Sequence, residues 1–221
     1  MKIFLDSADA SQIKFWSGQG ILDGVTTNPL VLQRDGVTDP ERALAELARL
    51  AAPGVFHAEV THAGGQQLIA EARELAALAD NVAIKVPVIT PEGESCLAEI
   101  SELTRAGVVV NTTACLTLGQ VVLAAKAGAR YISVLVGRVD DEGGNGAEVL
   151  EKARVWLDRW GYDSELIAAS VRGTADVMRS IDAGAHCVTV PPAILAKLAD
   201  HKFSRHTVRE FLDAAAATKA S

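Results

Sequence analysis

The stretch VAIKVPV, residues 82–88, has valine or isoleucine at every second position and a lysine at its centre. Because successive side chains of a β-strand point to opposite faces, this pattern predicts a strand with one wholly apolar face. Ala83, Lys85 and Pro87 occupy the other face. A lysine is seldom fully buried, since taking its charge out of water is costly unless it is paired or neutralised. A buried Lys85 therefore predicts a charged partner or a chemical role.

Short β-like segments of the same kind recur on both sides of this strand, at residues 2–7, 24–29, 55–60, 108–115, 131–137, 165–170 and 187–192. Stretches with helical periodicity separate them, and strands that alternate with helices indicate a parallel sheet. Eight such units in 221 residues favour a closed (β/α)8 TIM barrel of the α/β class over an open, doubly wound sheet. With no Pro-, Gly- or Ser-rich linker, we expect one domain over 1–221, in which 203–221 forms an additional C-terminal helix.

Three of the helices are predicted in more detail. Asp39 suits an N-cap and Pro40 the first helical position. The helix within 66–79 has an apolar face made of Leu68, Ala72, Leu75 and Ala79. The helix that Gly161 is expected to end has an apolar stripe made of Val149, Ala153, Trp156 and Trp160.

Charge and cysteine content exclude several function classes. The formal net charge of −7 disfavours binding to nucleic acid or to an anionic membrane. The N-terminal MKIFLDSAD is too poor in apolar residues for a signal peptide, and no window is long enough to span a membrane. The three cysteines are widely spaced and form neither a disulfide framework nor a zinc pattern. We therefore expect a reduced, cytoplasmic protein.

The same alternation gives the inward face of the barrel many polar side chains. The inward set is Asp6, Asn28, Glu59, Lys85, Asn111, Thr113, Ser133 and Ser170. In the seventh strand this assignment turns Ile167 outward, and in the third it turns His57 inward as a packing or rim residue. Each could be an ordinary core polar group, and Glu59 with Lys85 could be a structural ion pair. Because most lie late in their strands, where barrel active sites are built, together they predict a site.

A buried lysine beside two carboxylates is a minimal set for Schiff-base chemistry. Burial favours the neutral amine of a lysine, which can attack a carbonyl and lose water to form an imine. A carboxylate can shuttle the protons of that step directly or through one water. The protonated imine withdraws electrons, so a neighbouring carbon–carbon bond can break without a metal while a second carboxylate takes a hydroxyl proton. Lys85, Glu59 and Asp6 supply the groups that this chemistry needs.

Two arginines follow late strands and predict a phosphate site. Arg138 comes after the sixth strand, and Arg172 comes after the seventh, just before a helix start expected near Thr174. Arginine side chains and a helix N-terminus both bind phosphate, although two surface arginines are the alternative. No P-loop, GxGxxG or metal-ligand spacing occurs, so no nucleotide or metal cofactor is expected.

The segments FLDSAD, GVTTNP, AEV, IKVPV, NTT, ISVLVGR and AASVR resemble the transaldolases, especially the short subfamily that includes fructose-6-phosphate aldolases. The likeness runs in order from residue 3 to about residue 192. It implies a class I (β/α)8 enzyme in which Lys85 forms the Schiff base and Asp6 is the general acid/base of bond cleavage. Glu59, through a water held by Thr113, would serve imine formation and release.

The resemblance also implies the binding residues. Asn28 and Asn111 would orient the lysine and the donor hydroxyls, and Ser133 would bind the dihydroxyacetone end. Arg138, Ser170 and Arg172 would take the phosphate. The family's short members form high-order rings, so a homo-oligomer, pentameric or decameric, is implied, with the C-terminal helix on a neighbouring subunit.

Within that subfamily the residues favour a transaldolase. The aldolases resemble this chain but carry glutamine where Glu59 stands and tend to have lysine in place of Arg172. Leu135 stands where both groups usually have an aromatic residue, and Val134 replaces a common proline, which predicts a reshaped donor pocket. The expected activity is transfer of a dihydroxyacetone unit between sugar phosphates. A fructose-6-phosphate aldolase and a non-catalytic phosphosugar-binding barrel are the alternatives.

Overall fold

A computed structural model describes residues 1–220 and confirms the closed barrel. The strands run in parallel and pair in chain order, with β8 closing onto β1, which excludes the open sheet. Their bounds are β1 Lys2–Asp6, β2 Gly24–Thr26, β3 Val55–Glu59, β4 Val82–Pro87, β5 Val110–Cys115, β6 Tyr131–Leu135, β7 Glu165–Ala169 and β8 Cys187–Val190.

Helices surround this barrel and connect its strands. Their bounds are α1 Ala10–Gly18, α2 Pro29–Arg34, α3 Pro40–Ala51, α4 Gly65–Ala76, α5 Leu97–Arg105, α6 Leu118–Lys126, α7 Val136–Asp141, α8 Gly146–Trp160, α9 Thr174–Asp182, α10 Pro192–Ala199 and α11 Lys202–Ala220. Asp39 caps α3 through a hydrogen bond from the Arg42 amide, and Pro40 is its first residue, as predicted. Within the described chain no helix is long and apolar enough to cross a membrane.

The apolar residues form two layers, as the alternation predicts. A large outer core lies between the strands and the helices and contains Val82, Ile84, Val86 and Val88 of β4. A small inner core fills the lower part of the barrel with Phe4, Ala83, Tyr131, Ile167 and Cys187. The polar mouth therefore rests on a packed apolar floor.

The orientation predicted for β7 is wrong. Ile167 lies in the inner core and Ala168 in the outer core, the reverse of the expected assignment. Ser170 still reaches the mouth because it follows the end of the strand and has a left-handed backbone, with φ 61°. Side chains alternate between the two faces of a strand only where the backbone is extended. The left-handed Ser170 therefore cannot be used to assign the faces of the β7 residues that precede it.

The apolar stripe predicted for α8 is also partly wrong. Leu150, Ala153 and Leu157 face the barrel, whereas Trp160 is 65% exposed. The C-terminus is as expected, since Gly161 ends the helix in the left-handed conformation with φ 68°. In α4 the predicted face is correct for the buried Leu68 and Ala72 and for the half-buried Leu75, but the helix ends at Ala76, so Ala79 lies beyond it.

The last helix, α11, begins at Lys202, and residue 221 of the predicted 203–221 segment lies outside the described residues. Residues 201–218 are exposed, including four large apolar side chains, Phe203, Val208, Phe211 and Leu212. An apolar stripe of this kind is costly to leave in water.

Candidate active site

A cavity of about 430 Å³ opens at the carboxyl ends of the strands. Eight of the ten predicted site residues line it, namely Asp6, Asn28, Glu59, Lys85, Thr113, Ser133, Arg138 and Ser170. Parallel strands bring these side chains together because all their carboxyl ends meet at one rim of the barrel. Asn111 and Arg172 are absent from the lining and are described below.

Lys85 lies at the floor of the cavity and is 7% exposed. In the ladder between β3 and β4, Glu59 and Lys85 are direct partners, which sets their side chains next to each other. The Lys85 Nζ is 2.7 Å from Glu59 Oε2 and donates a hydrogen bond of 2.9 Å to the Thr27 carbonyl. Glu59 is therefore the carboxylate closest to the Lys85 amine.

Asp6 projects into the same cavity from β1. Its carboxylate accepts a 2.9 Å hydrogen bond from the Thr26 hydroxyl, which is itself 2.5 Å from the Thr189 hydroxyl of β8. Burial raises the pKa of the Asp6 carboxyl and outweighs the charges of Lys85 and Arg34, which lower it. A raised pKa suits a group that must both accept and return a proton.

Asn28 lines the cavity from the start of α2. Its side-chain oxygen caps that helix by accepting a 2.9 Å hydrogen bond from the Val31 amide. The cap fixes the orientation of the amide group, so its nitrogen is left as the donor for a ligand.

Asn111 lies beneath the cavity and is fully buried. It pairs with Lys85 in the ladder between β4 and β5, and its side-chain oxygen accepts a 2.9 Å hydrogen bond from Ser133. Ser133 does line the cavity, so the amide of Asn111 reaches it through this hydroxyl.

Thr113 reaches the cavity next to an irregularity in β5. The register with β6 shifts between Thr112 and Cys115, and Ala114 takes a left-handed backbone with φ 59°. Both Thr113 and Ala114 then line the cavity. Bulges of this kind re-aim side chains next to functional sites.

The two predicted arginines differ in their surroundings. Arg138 lines the cavity from α7. The guanidinium of Arg172 is instead engaged on both carboxylate oxygens of Asp141, and it is 55% exposed. The Asp141 carboxylate raises the pKa of Arg172 by hydrogen bonding and charge.

The helix that follows Arg172 begins at Thr174, as expected, but its N-terminus is occupied. Asp176 accepts hydrogen bonds of 2.7 Å from the Arg172 amide and 3.1 Å from the Gly173 amide. These contacts use backbone donors that an anion would otherwise take.

Several residues of the site were not predicted as such. Thr26 holds Asp6 and is itself hydrogen-bonded to Thr189, and Leu30 and Ala169 line the cavity. The alternation could have found Thr26, because it shares a face with Asn28. Asp141 gives no comparable signal, since it lies 31 residues from Arg172.

Leu135 and Val134 affect the cavity differently. Leu135 lines it, whereas Val134 is fully buried in the outer core. A direct effect of Val134 on the shape of the pocket is therefore not supported, and of these two residues Leu135 is the one that lines the cavity. Among residues 1–220 no group of His, Cys, Asp and Glu side chains is arranged to hold a metal ion.

Comparison with known proteins yields one family. A family model described as transaldolase/fructose-6-phosphate aldolase matches residues 3–221. A probable transaldolase of Chelativorans sp. strain BNC1 is 39% identical over 214 residues, which are 96% of this chain and 95% of that protein. A probable transaldolase of Lactiplantibacillus plantarum is 39% identical over 211 residues, 96% of this chain and 94% of that protein.

Solved structures are similar in fold. A cube-shaped protein cage designed by fusing symmetric oligomeric domains matches with a TM-score of 0.62 at 14% identity, over 99% of this chain and 78% of that chain. An identity this low supports the barrel fold alone.

Proposed function

The chain belongs to the transaldolase/fructose-6-phosphate aldolase family, and we propose that it is a transaldolase that works through a Schiff base on Lys85. It moves a dihydroxyacetone unit from a ketose phosphate, sedoheptulose 7-phosphate or fructose 6-phosphate, to an aldose phosphate. The observation that carries this proposal is the buried Lys85 amine, 2.7 Å from Glu59 in a cavity that also contains Asp6.

The first step joins the lysine to the donor ketone. Lys85 passes a proton to Glu59, and the free amine attacks C2 of the ketose to give a carbinolamine. Glu59 then returns a proton, through a water beside Thr113, to the departing hydroxyl, which leaves as water. The product is a protonated imine.

The second step breaks the C3–C4 bond. Asp6 removes the proton of the C4 hydroxyl, C4 becomes an aldehyde, and the bonding electrons move into the imine to give a three-carbon enamine. The aldehyde leaves, and the acceptor aldehyde takes its place. The enamine carbon attacks that aldehyde, Asp6 returns its proton to the new hydroxyl, and water releases the product from Lys85.

Transfer instead of hydrolysis requires that water does not reach the enamine first. The packed apolar floor of the barrel, with Phe4 and Tyr131, closes the cavity from below and leaves the mouth as its entrance. Excluding water from a reactive intermediate is a recognised function of such an enclosure.

Borohydride trapping tests the Schiff base. Reduction in the presence of fructose 6-phosphate should add a three- or six-carbon unit to the peptide that contains Lys85. Lys85→Arg should abolish the adduct, while Lys126→Arg, an exposed lysine on α6, should leave it unchanged. No adduct on the wild-type protein with any ketose phosphate would favour a non-catalytic phosphosugar-binding barrel.

The second candidate is an aldolase that releases free dihydroxyacetone, an activity that the family description also includes. Incubation of fructose 6-phosphate with and without erythrose 4-phosphate separates the two. A transaldolase consumes the donor in step with the acceptor. Free dihydroxyacetone formed at the same rate without acceptor would establish the aldolase.

Arg138, Ser170 and Arg172 form the proposed phosphate end of the site. Arg138 and Ser170 line the cavity directly, whereas Arg172 must exchange Asp141 for the phosphate. Arg138→Ala and Arg172→Ala should each raise KM about tenfold or more for phosphorylated donors, since charge-assisted hydrogen bonds are worth about 1.5–3 kcal/mol. An equal rise for an unphosphorylated donor would remove the residue from this role.

Assembly and location complete the proposal. The exposed apolar side chains of α11 support a homo-oligomer in which this helix packs on a neighbouring subunit. The cysteines Cys96, Cys115 and Cys187 are buried and free, which agrees with a cytoplasmic location.

A further inference from the structure

His57 is a fully buried histidine on the inner face of β3, within the lower barrel. Its ring centroid is 5.1 Å from that of Phe4 and 4.9 Å from that of Tyr131. Burial, with smaller effects of the Lys85 and Lys2 charges, lowers the pKa of His57 to about 3. The ring is therefore neutral at any working pH.

One hydrogen bond determines which ring nitrogen carries the proton. The Asn111 Nδ2 is 3.1 Å from His57 Nδ1. An amide nitrogen can only donate, so Nδ1 accepts and the proton of the neutral ring is on Nε2. Nε2 has no hydrogen-bond partner in the described part of the chain. The ring is therefore held by a single hydrogen bond there, the one between Nδ1 and Asn111.

The same contact determines the orientation of the Asn111 amide. With Nδ2 towards His57, Oδ1 faces Ser133 and accepts its hydroxyl hydrogen over 2.9 Å. That hydrogen is then used inside the barrel, and the lone pairs of the Ser133 oxygen remain for the cavity. If the amide were reversed, Ser133 would accept from Asn111 and would present its hydrogen to the ligand instead.

We propose that His57 is a positioning residue that fixes the Asn111 amide and thereby makes Ser133 a hydrogen-bond acceptor for the C1 hydroxyl of the donor. This inference rests on the proposed function, since it concerns the three-carbon end of a ketose. A donor with a hydroxyl at C1 can donate to the Ser133 oxygen, whereas a donor with only an acceptor at C1, such as the 1-deoxy-1-fluoro analogue, leaves that oxygen without a partner. The buried histidine thus contributes to donor selection without touching the substrate.

The arrangement has a direct spectroscopic test on the wild-type protein without substrate. Nitrogen-15 NMR of the imidazole should show His57 as the neutral tautomer protonated on Nε2, unchanged from pH 5 to pH 9. A proton on Nδ1, or titration of His57 near 6.5, would overturn the proposal. This measurement needs neither activity nor a mutant that folds.

Steady-state kinetics test whether His57 affects the selection of the donor. The quantity to compare is the ratio of kcat/KM for fructose 6-phosphate to that for its 1-deoxy-1-fluoro analogue, in which C1 carries only an acceptor. His57→Leu removes the acceptor and should lower this ratio about five- to tenfold, the worth of one neutral hydrogen bond. His57→Gln supplies another acceptor oxygen and should restore most of it, and Tyr131→Phe, on the neighbouring ring, should leave it unchanged.

Ser133→Ala gives the reference value, because it removes the acceptor oxygen itself. Combined with His57→Leu it should lower the ratio no further than it does alone. A ratio that falls in Ser133→Ala but is unchanged in His57→Leu would overturn the role of His57. Absence of an adduct on Lys85 would refute the proposed function instead, and the tautomer would remain an independent result.

Discussion

At the scale of single residues, Asp6 combines a functional position with a cost in stability. Its carboxylate is held by Thr26 at the cavity, and burial makes its charged form unfavourable in the folded protein. A carboxyl whose pKa is raised on folding stabilises the protein only at low pH. That contribution is lost as the pH rises from the unfolded value of 3.8 through the higher folded pKa.

Asp6→Asn should therefore unfold at a higher temperature than the wild type at pH 7 while losing its transferase activity. The gain should shrink as the pH is lowered and vanish below 3.8, where the carboxyl is protonated in both states. Thermal unfolding at several pH values measures this difference, with Asp163→Asn as an exposed control. A gain in unfolding temperature that does not depend on pH would contradict a raised pKa of Asp6 in the folded protein.

His57 has the opposite effect on the pH dependence of stability, because it destabilises the folded protein at low pH, whereas Asp6 does so at high pH. Its folded pKa of about 3 lies below its unfolded value of 6.5, so the unfolded chain takes up a proton first as the pH falls. Between pH 6.5 and 4.5 this group should cost the folded state about 2 kcal/mol. His57→Gln should remove that loss in urea unfolding measured at both pH values. His206→Gln, at an exposed histidine, should lose stability with falling pH as the wild type does. An equal pH dependence in the wild type and both variants would disprove the effect of His57.

At the scale of elements, α7 and the segment after β7 meet closely enough to shape the phosphate end. A Cβ atom at Gly137 would lie 2.2 Å from the Ser170 carbonyl oxygen and 3.0 Å from Arg172 Nε. Any larger residue must displace backbone there. The short α7 thereby brings Arg138 to the cavity next to Ser170.

Gly137→Ala should accordingly raise KM for phosphorylated donors by at least tenfold, because a displacement of about 1 Å in a site can cost about a hundredfold in rate. Lys85 is on a different strand, so borohydride trapping with dihydroxyacetone should persist. Gly18→Ala, which has open space around it at the end of α1, serves as the control. Unchanged KM in Gly137→Ala would show that this contact does not position the phosphate residues.

The same elements show what the sequence could predict. Residues in extended strands, such as Lys85 and Glu59, were oriented correctly because a two-residue period follows from backbone geometry. β7 was misassigned because the left-handed Ser170 interrupts that period. The pair between Arg172 and Asp141 was not foreseen, since it depends on how α7 packs beside β7 and no local pattern encodes it.

At the scale of the whole molecule, the exposed apolar stripe of α11 predicts assembly. Phe211 and Leu212 are 68% and 65% exposed. Replacing both with aspartate should reduce the mass measured by light scattering, while circular dichroism shows the barrel intact. Phe15→Asp, at an exposed apolar position on α1, should leave the mass unchanged. A wild-type protein that is monomeric at micromolar concentration would refute the oligomer.

The Thr26 hydroxyl lies between Asp6 of β1 and Thr189 of β8, so the order in which the strands are synthesised decides when the surroundings of Asp6 are complete. Asp6 lies on β1 and leaves the ribosome before the other strands, whereas β8, whose Thr189 completes the surroundings of Asp6, is the last strand of the barrel to be translated. Until Val190 has emerged, the nascent sheet has two open edges, β1 and β7, and such edges are prone to aggregation. The pocket around Asp6 is therefore completed only after β8 has been translated, and until then the open edges make the nascent sheet prone to aggregation.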